Sequence, residues 1–141
     1  MSDDVRPFAI QLRVSQEHID FQGHVCNVTI VKLMNETTLA HAASLGWDAA
    51  AYRNLGGMFV VRRHEIDYRS MAFLDDVLTL ETWVVAMEKT RAERRHRIVR
   101  AADGAIIAES VNFWTYVNIQ TGRPQRIPDV LVDAFCPKST P

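Results

Sequence analysis

Cysteine occurs only twice in this 141-residue chain, as Cys26 and Cys136. The pair is far apart and belongs to no C-x-x-C or spaced Cys/His set, so neither a disulfide framework nor structural zinc is indicated. A reducing cytoplasm is the expected setting. Proline is missing from the middle of the chain, being confined to Pro7, Pro124, Pro128, Pro137 and Pro141. No internal repeat, low-complexity tract or linker divides what lies between. No apolar run approaches the roughly 20 residues a membrane helix needs. The acidic start MSDDVRPFAI lacks the basic-then-apolar order of a secretory signal. Excess charge is also missing: the formal net charge is -1, which argues against a global positive field for nucleic acid. Neither nucleic acid nor a membrane is an expected partner.

What is present is the composition of a soluble globular protein, 48% hydrophobic and 23% charged, at the length of one ordinary domain. Residues 1–141 are therefore expected to form a single domain. FAIQLRVS, Phe8 to Ser15, alternates apolar and polar side chains as a half-buried strand does, with Phe8, Ile10, Leu12 and Val14 on one face. From Val28 to Leu45 the period becomes helical: Ile30, Val31, Met34 and Leu45 share an arc with Thr37, Thr38 and His41, and Gly46 follows as a stop. The polar members of that arc either bond back to helix carbonyls or line a pocket. After a short segment ended by Gly56 and Gly57 come four strand-like runs, Met58 to Arg69, Val77 to Glu88, Thr90 to Ala101 and Ala105 to Ile119. The tail to Pro141 is expected to be a short cap or loop.

One long helix and five strands predict an α+β fold in which a five-stranded antiparallel sheet curves around the helix. That arrangement leaves one sheet face short of cover and strand edges free, so a homodimer or homotetramer is expected.

The densest chemistry lies in HIDFQGHVCN, His18 to Asn27, ahead of the helix. Free amides at a helix N-terminus can hydrogen-bond a developing oxyanion. Gly23 lets backbone approach closely, and Asp20, the only acid in the loop, can attack a carbonyl or activate water. The plainer reading makes Asp20 a turn cap and Gly23 a conformational necessity. Asn27 has the chemistry of an N-cap. Cys26 lacks a base and orienting group at the spacing of a Cys/His hydrolase.

The order of elements, with D-x-x-G-H-V-x-N at the start of the helix, resembles the hot-dog-fold acyl-CoA thioesterases of the 4-hydroxybenzoyl-CoA thioesterase-like group. VVRRHEIDYRSMAFLDDVLTLET and TGRPQRIP add to the likeness, which covers nearly the whole chain. In many relatives the third place of H-V-N-N is Asn, where this chain has Cys26. The resemblance implies hydrolysis of an acyl-CoA to free acid and CoA, with no metal or redox cofactor, since coenzyme A is part of the substrate. It makes Asp20 the first catalytic candidate and Glu36, borne on the helix as in a second branch of the family, the backup. Gly23, His24, Val25 and Asn27 would form the substrate site.

A CoA enzyme also needs cations for phosphate. KTRAERRHRIVR supplies Arg91, Arg94 and Arg95, with Arg62 on the preceding long strand. Met34, Met58, Phe59 and Trp83 could line an acyl pocket. Hot-dog domains also serve as hydratases or dehydratases and as non-catalytic acyl-CoA-binding proteins, and these are the alternatives.

Overall fold

The structure, a computed structural model, describes residues 6–136. Five strands and three α-helices follow in the order β1 (Phe8–Arg13), α1 (Asn27–Ser44), α2 (Ala49–Leu55), β2 (Gly57–Tyr68), β3 (Val77–Glu88), β4 (Arg91–Arg100), β5 (Ile106–Asn118) and α3 (Asp129–Phe135), with one short 3-10 helix, Gln16–His18, between β1 and α1. All pairings are antiparallel and the sheet order is β1-β3-β4-β5-β2. β3, β4 and β5 form the expected meander, with β1 and β2 at its edges. α1 packs against β3 and β1. The tail forms α3, a helix rather than a loop, which buries Leu131 and Phe135. Pro137, Pro141 and the acidic start at residues 1–5 lie outside the described residues.

Alternation decides what each strand hides. On β4, Ala92, Arg94, His96 and Ile98 are buried while Arg91 is exposed and Glu93, Arg95 and Arg97 are half-buried. A two-residue period in the backbone thus sends neighbouring arginines to opposite faces of the sheet. α1 buries Ile30, Leu33, Met34, Thr37, Thr38 and Ala42. The sequence arc is corrected here: Leu33 and Ala42 belong to the buried stripe, and Leu45 stands just past the helix, exposed.

The interior has two apolar clusters. One gathers Leu33, Met34, Leu78, Leu80 and Ile98; the other gathers Ala42, Val84, Tyr116, Leu131 and Phe135. Each fully buried aliphatic side chain contributes on the order of 2 kcal/mol of burial free energy. A layer of polar groups, Thr38, Thr82, Arg94, His96, Ser110 and Asn112, is buried between helix and sheet.

Gly56, at φ +87, closes α2 in the left-handed region, and Gly57 opens β2 rather than closing the helix. A Cβ on Gly57 would lie 2.2 Å from the Tyr116 hydroxyl, so the fully buried tyrosine ring occupies the space a side chain would need. Strand β2 is bulged where its pairing with β5 shifts between Val61 and Arg63.

Candidate active site

The loop between β1 and α1 is folded on itself. The Asp20 amide donates to the His24 carbonyl at 3.3 Å and the Gly23 amide to the Asp20 carbonyl at 3.1 Å, with a bridge between Ile19 and Val25. Gly23 turns the chain at φ +86, a conformation that costs other residues. The Asp20 Oδ1 accepts the Gln22 amide at 2.8 Å, as the turn reading expects. Among the described residues its other oxygen has no hydrogen bond, so the capping role occupies only half of the carboxylate. His18 turns back to accept the Ser15 amide on Nδ1 at 2.9 Å.

The loop delivers the chain to α1. Val25 is buried, and its amide is taken by the Ala72 carbonyl at 2.9 Å, so Val25 anchors the loop and offers a ligand no donor. His24 Nδ1 lies 3.1 Å from the Val25 carbonyl. A carbonyl only accepts, so this contact selects the tautomer protonated on Nδ1 and leaves Nε2 as an acceptor. The N-cap is Cys26, not Asn27, which is the first helical residue and exposed. The first bond of the ladder runs from the Ile30 amide to the Cys26 carbonyl at 3.0 Å. The amides of Asn27, Val28 and Thr29 therefore precede the ladder and face the loop end of the helix. The Cys26 thiol is held below the ordinary thiol pKa by the Thr29 hydroxyl and amide and by the Val28 amide, against burial and the nearby Asp20 charge.

Phe21, next to Asp20 in the chain, and Val28, in the first turn of α1, have 96% and 71% of their surface in solvent, which leaves apolar surface on the loop and on the helix start. Glu36 sits on the exposed face of α1, nine residues beyond Asn27 and so roughly 14 Å along the axis. The structure does not bring it to Asp20 within one chain.

The arginines divide. Arg95 pairs with Glu93 at 3.0 Å, Arg97 with Glu81 at 2.8 Å, and Arg100 with Asp76 and Asp103 at 3.1 Å each. Arg62 and Arg91 are exposed. Arg94 is corrected from a surface candidate to a buried one: only 7% exposed, its Nη1 lies 3.0 Å from both His41 Nδ1 and Thr82 Oγ1.

Arg94 also lines a cavity of about 650 Å³ beneath α1, whose walls include Ala42, Trp47, Tyr52, Phe59, Met87 and Trp114. Of the residues expected to form an acyl pocket, Met58 and Phe59 line it, Met34 lies in the other apolar cluster, and Trp83 lies under Arg97 at 5.4 Å on the opposite sheet face. Beside the cavity runs a chain of hydrogen-bonded polar groups. His96 Nε2 meets Thr38 Oγ1 at 2.7 Å, and its Nδ1 accepts Asn112 Nδ2 at 2.8 Å; Asn112 Oδ1 in turn meets His64 Nδ1. Burial, then Arg94, lowers His96 to about 3 and His41 to about 4. Each arm of the earlier alternative holds for part of the arc: Thr37 bonds back to the Leu33 carbonyl at 2.7 Å and His41 finds a partner in Arg94, whereas Thr38 lines the cavity. Alternation in β4 and β5 carried the signal for this network, but only once the inner face was known. Among the described residues no group of three or more His, Cys, Asp or Glu side chains could hold a metal ion. No helix there is long and apolar enough to cross a membrane.

Residues 14–135 match the model of the thioesterase-like superfamily. An oleoyl-acyl carrier protein thioesterase of Arabidopsis thaliana is 26% identical over 118 residues, covering 77% of this chain and 32% of its own length. The chain thus spans about a third of that relative. A 1,4-dihydroxy-2-naphthoyl-CoA thioesterase from Synechocystis superposes with a TM-score of 0.85 at 15% identity, over 96% of this chain and 100% of that one. A Staphylococcus aureus protein solved in complex with CoA superposes with 0.84 at 18% identity, over 92% and 81%. At these identities the likeness establishes the hot-dog fold.

Proposed function

Because the chain belongs to the thioesterase-like superfamily, we propose that it hydrolyses an acyl thioester, with acyl-CoA as the substrate class, and that Asp20 is its catalytic carboxylate. The observation that carries this reading is the half-anchored carboxylate: one oxygen is fixed by the Gln22 amide at 2.8 Å and the other has no hydrogen bond among the described residues, beside a helix whose first amides precede its ladder. A thioester carbonyl placed there has donors for its oxygen and a base for water. Asp20 takes a proton as water oxygen bonds to the carbonyl carbon. The resulting oxyanion is held by first-turn amides, which need no reorganisation as charge develops. Collapse breaks the C–S bond, the free acid leaves, and Asp20 returns its proton to the departing thiolate.

The site is completed by a second copy of the chain. The exposed Phe21 of the loop and Val28 of the helix start need cover, and β2 stands at the end of the sheet with one edge unpaired among the described residues. Two such edges joined make one continuous sheet and bring another copy's surface toward each loop.

The test is Asp20→Asn, which keeps shape and removes the base. Thiol release from a panel of acyl-CoA substrates should fall by about 100-fold or more with the melting temperature preserved, while Glu36→Gln keeps its turnover. Wild-type rates in Asp20→Asn, or a selective loss in Glu36→Gln, would move the chemistry elsewhere.

A further inference from the structure

The cavity beneath α1 holds a positive charge whose polar partners among the described residues are all neutral. Arg94 reaches His41 and Thr82 through Nη1, and its guanidinium carbon stands 5.6 Å from the centre of the Phe135 ring. Isolated buried charge is strongly unfavourable without an opposite partner. Burial lowers the Arg94 pKa to about 10, which still leaves it charged at neutral pH. The other charged groups on the cavity wall, Asp48 and Arg53, are exposed. Asp48 is further engaged in capping α2, where Oδ1 accepts the Ala51 amide at 2.9 Å.

Two further donors share the space. Trp114 lines the cavity, and its indole N–H is buried without a partner among the described residues. Tyr52 lines it as well, and burial raises its pKa to about 12, so its hydroxyl keeps its proton. Asn35 and Thr38 add neutral polar groups on the α1 side, and the remaining walls, among them Ala42, Phe59, Val84 and Met87, are apolar. A ligand complementary to this lining has an apolar body and a single negative charge. One guanidinium with an edge left over after Nη1 is engaged suits a planar carboxylate, which it can bind through two parallel hydrogen bonds.

We infer that this cavity binds an apolar chain ending in a carboxylate, with Arg94 as the anion-binding residue. Two sources share that chemistry: the far end of the acyl group of the substrate, which rests on the hydrolase reading above, and a free long-chain carboxylic acid, which does not. Arg94 meets α1 at His41, fourteen residues past Asn27 and so about 21 Å along the axis. An acyl group anchored at the Asp20 loop of the same chain and reaching Arg94 is therefore a long one.

Trp47 and Trp114 line the cavity, so indole fluorescence reports occupancy without any turnover. Laurate and dodecanol are titrated into the intact protein. Laurate is expected to bind at least tenfold more tightly than dodecanol, and Arg94→Met should bring the two together, while Arg94→Lys retains part of the preference. Equal binding of acid and alcohol to the wild type overturns the inference whether or not any variant folds. So does a preference that survives in folded Arg94→Met. The sources separate by hydrolysis of the CoA half-thioester of hexadecanedioic acid against palmitoyl-CoA. A higher kcat/KM for the former, lost in Arg94→Met, assigns the anion to the substrate; equal values alongside a laurate preference assign the site to free acid. Failure to hydrolyse any thioester refutes the hydrolase reading and leaves the laurate comparison to decide the anion site.

Discussion

Acidification should destabilise this protein well before its carboxylates protonate, because two of its histidines are held neutral by burial and by Arg94. In the unfolded chain an imidazole takes up its proton near pH 6.5, whereas His41 and His96 resist until about 4 and about 3. Between those values the unfolded state binds more protons, so folding stability is full above pH 6.5 and falls as the pH is lowered through the window. At pH 5 each histidine accounts for a loss of about 2 kcal/mol, or about 4 kcal/mol together. That is a large share of the 5–15 kcal/mol or so typical of a domain. Urea unfolding followed by circular dichroism at pH 7.5 and pH 5 measures it: with a slope of about 2 kcal/mol/M, the midpoint should drop by roughly 2 M. His96→Gln should halve the drop, and comparing each protein with itself at the two pH values cancels the cost of the substitution. A midpoint unchanged between pH 7.5 and 5, or an undiminished drop in His96→Gln, would show that these imidazoles are not held neutral by the fold.

Other perturbations probe the surface and the assembly. Arg95, Arg97 and Arg100 already hold acids, so on the proposed reading the exposed Lys89, Arg91 and Arg62 are left to meet phosphate: combined Lys89→Gln and Arg91→Ala should raise KM for acyl-CoA by about 3- to 10-fold, spare thioesters that lack the nucleotide, and mimic added salt. Equal losses on both substrate types would make these residues supports of the fold. Dilution should remove activity in step with dissociation seen by light scattering, and a monomer with full specific activity at nanomolar concentration would contradict a site completed by a second copy.

The run of elements was legible because each carries its own period. β3 has the ends that the sequence predicts, Val77–Glu88, since turn residues bound the run at both sides, although a bulge between Val84 and Ala86 interrupts its alternation. The loop was legible as chemistry because Asp20 and Gly23 serve only a few backbone roles. Three things were not. Cys26 displaces Asn27 as the cap, because the turn at Gly23 and the anchor at Val25 set where helical geometry begins. The buried stripe of α1 runs through Leu33 and Ala42, since the sheet curves under a broader arc than the apolar residues alone mark. The basic run reads as one positive surface, yet Glu93 within it pairs with Arg95, further acids arrive from β3 and from loops, and Arg94 turns inward. Its contacts with His41 and Thr82 depend on which face of β4 meets the helix, and no local pattern states that.

The free edge of β2 carries its own address. Its first half presents Arg62 and Arg63, and its second half Glu65 and Asp67, along one exposed rim. A copy turned end for end about a two-fold axis at His64 sets Arg63 opposite Glu65; an axis at Glu65 sets Arg63 opposite Asp67. Either places unlike charges across the seam, whereas a copy laid parallel in register faces each charge with its own kind. The lettering of this strand is thus a charge palindrome, one that admits its own reverse and turns away a stacked ribbon of identical edges.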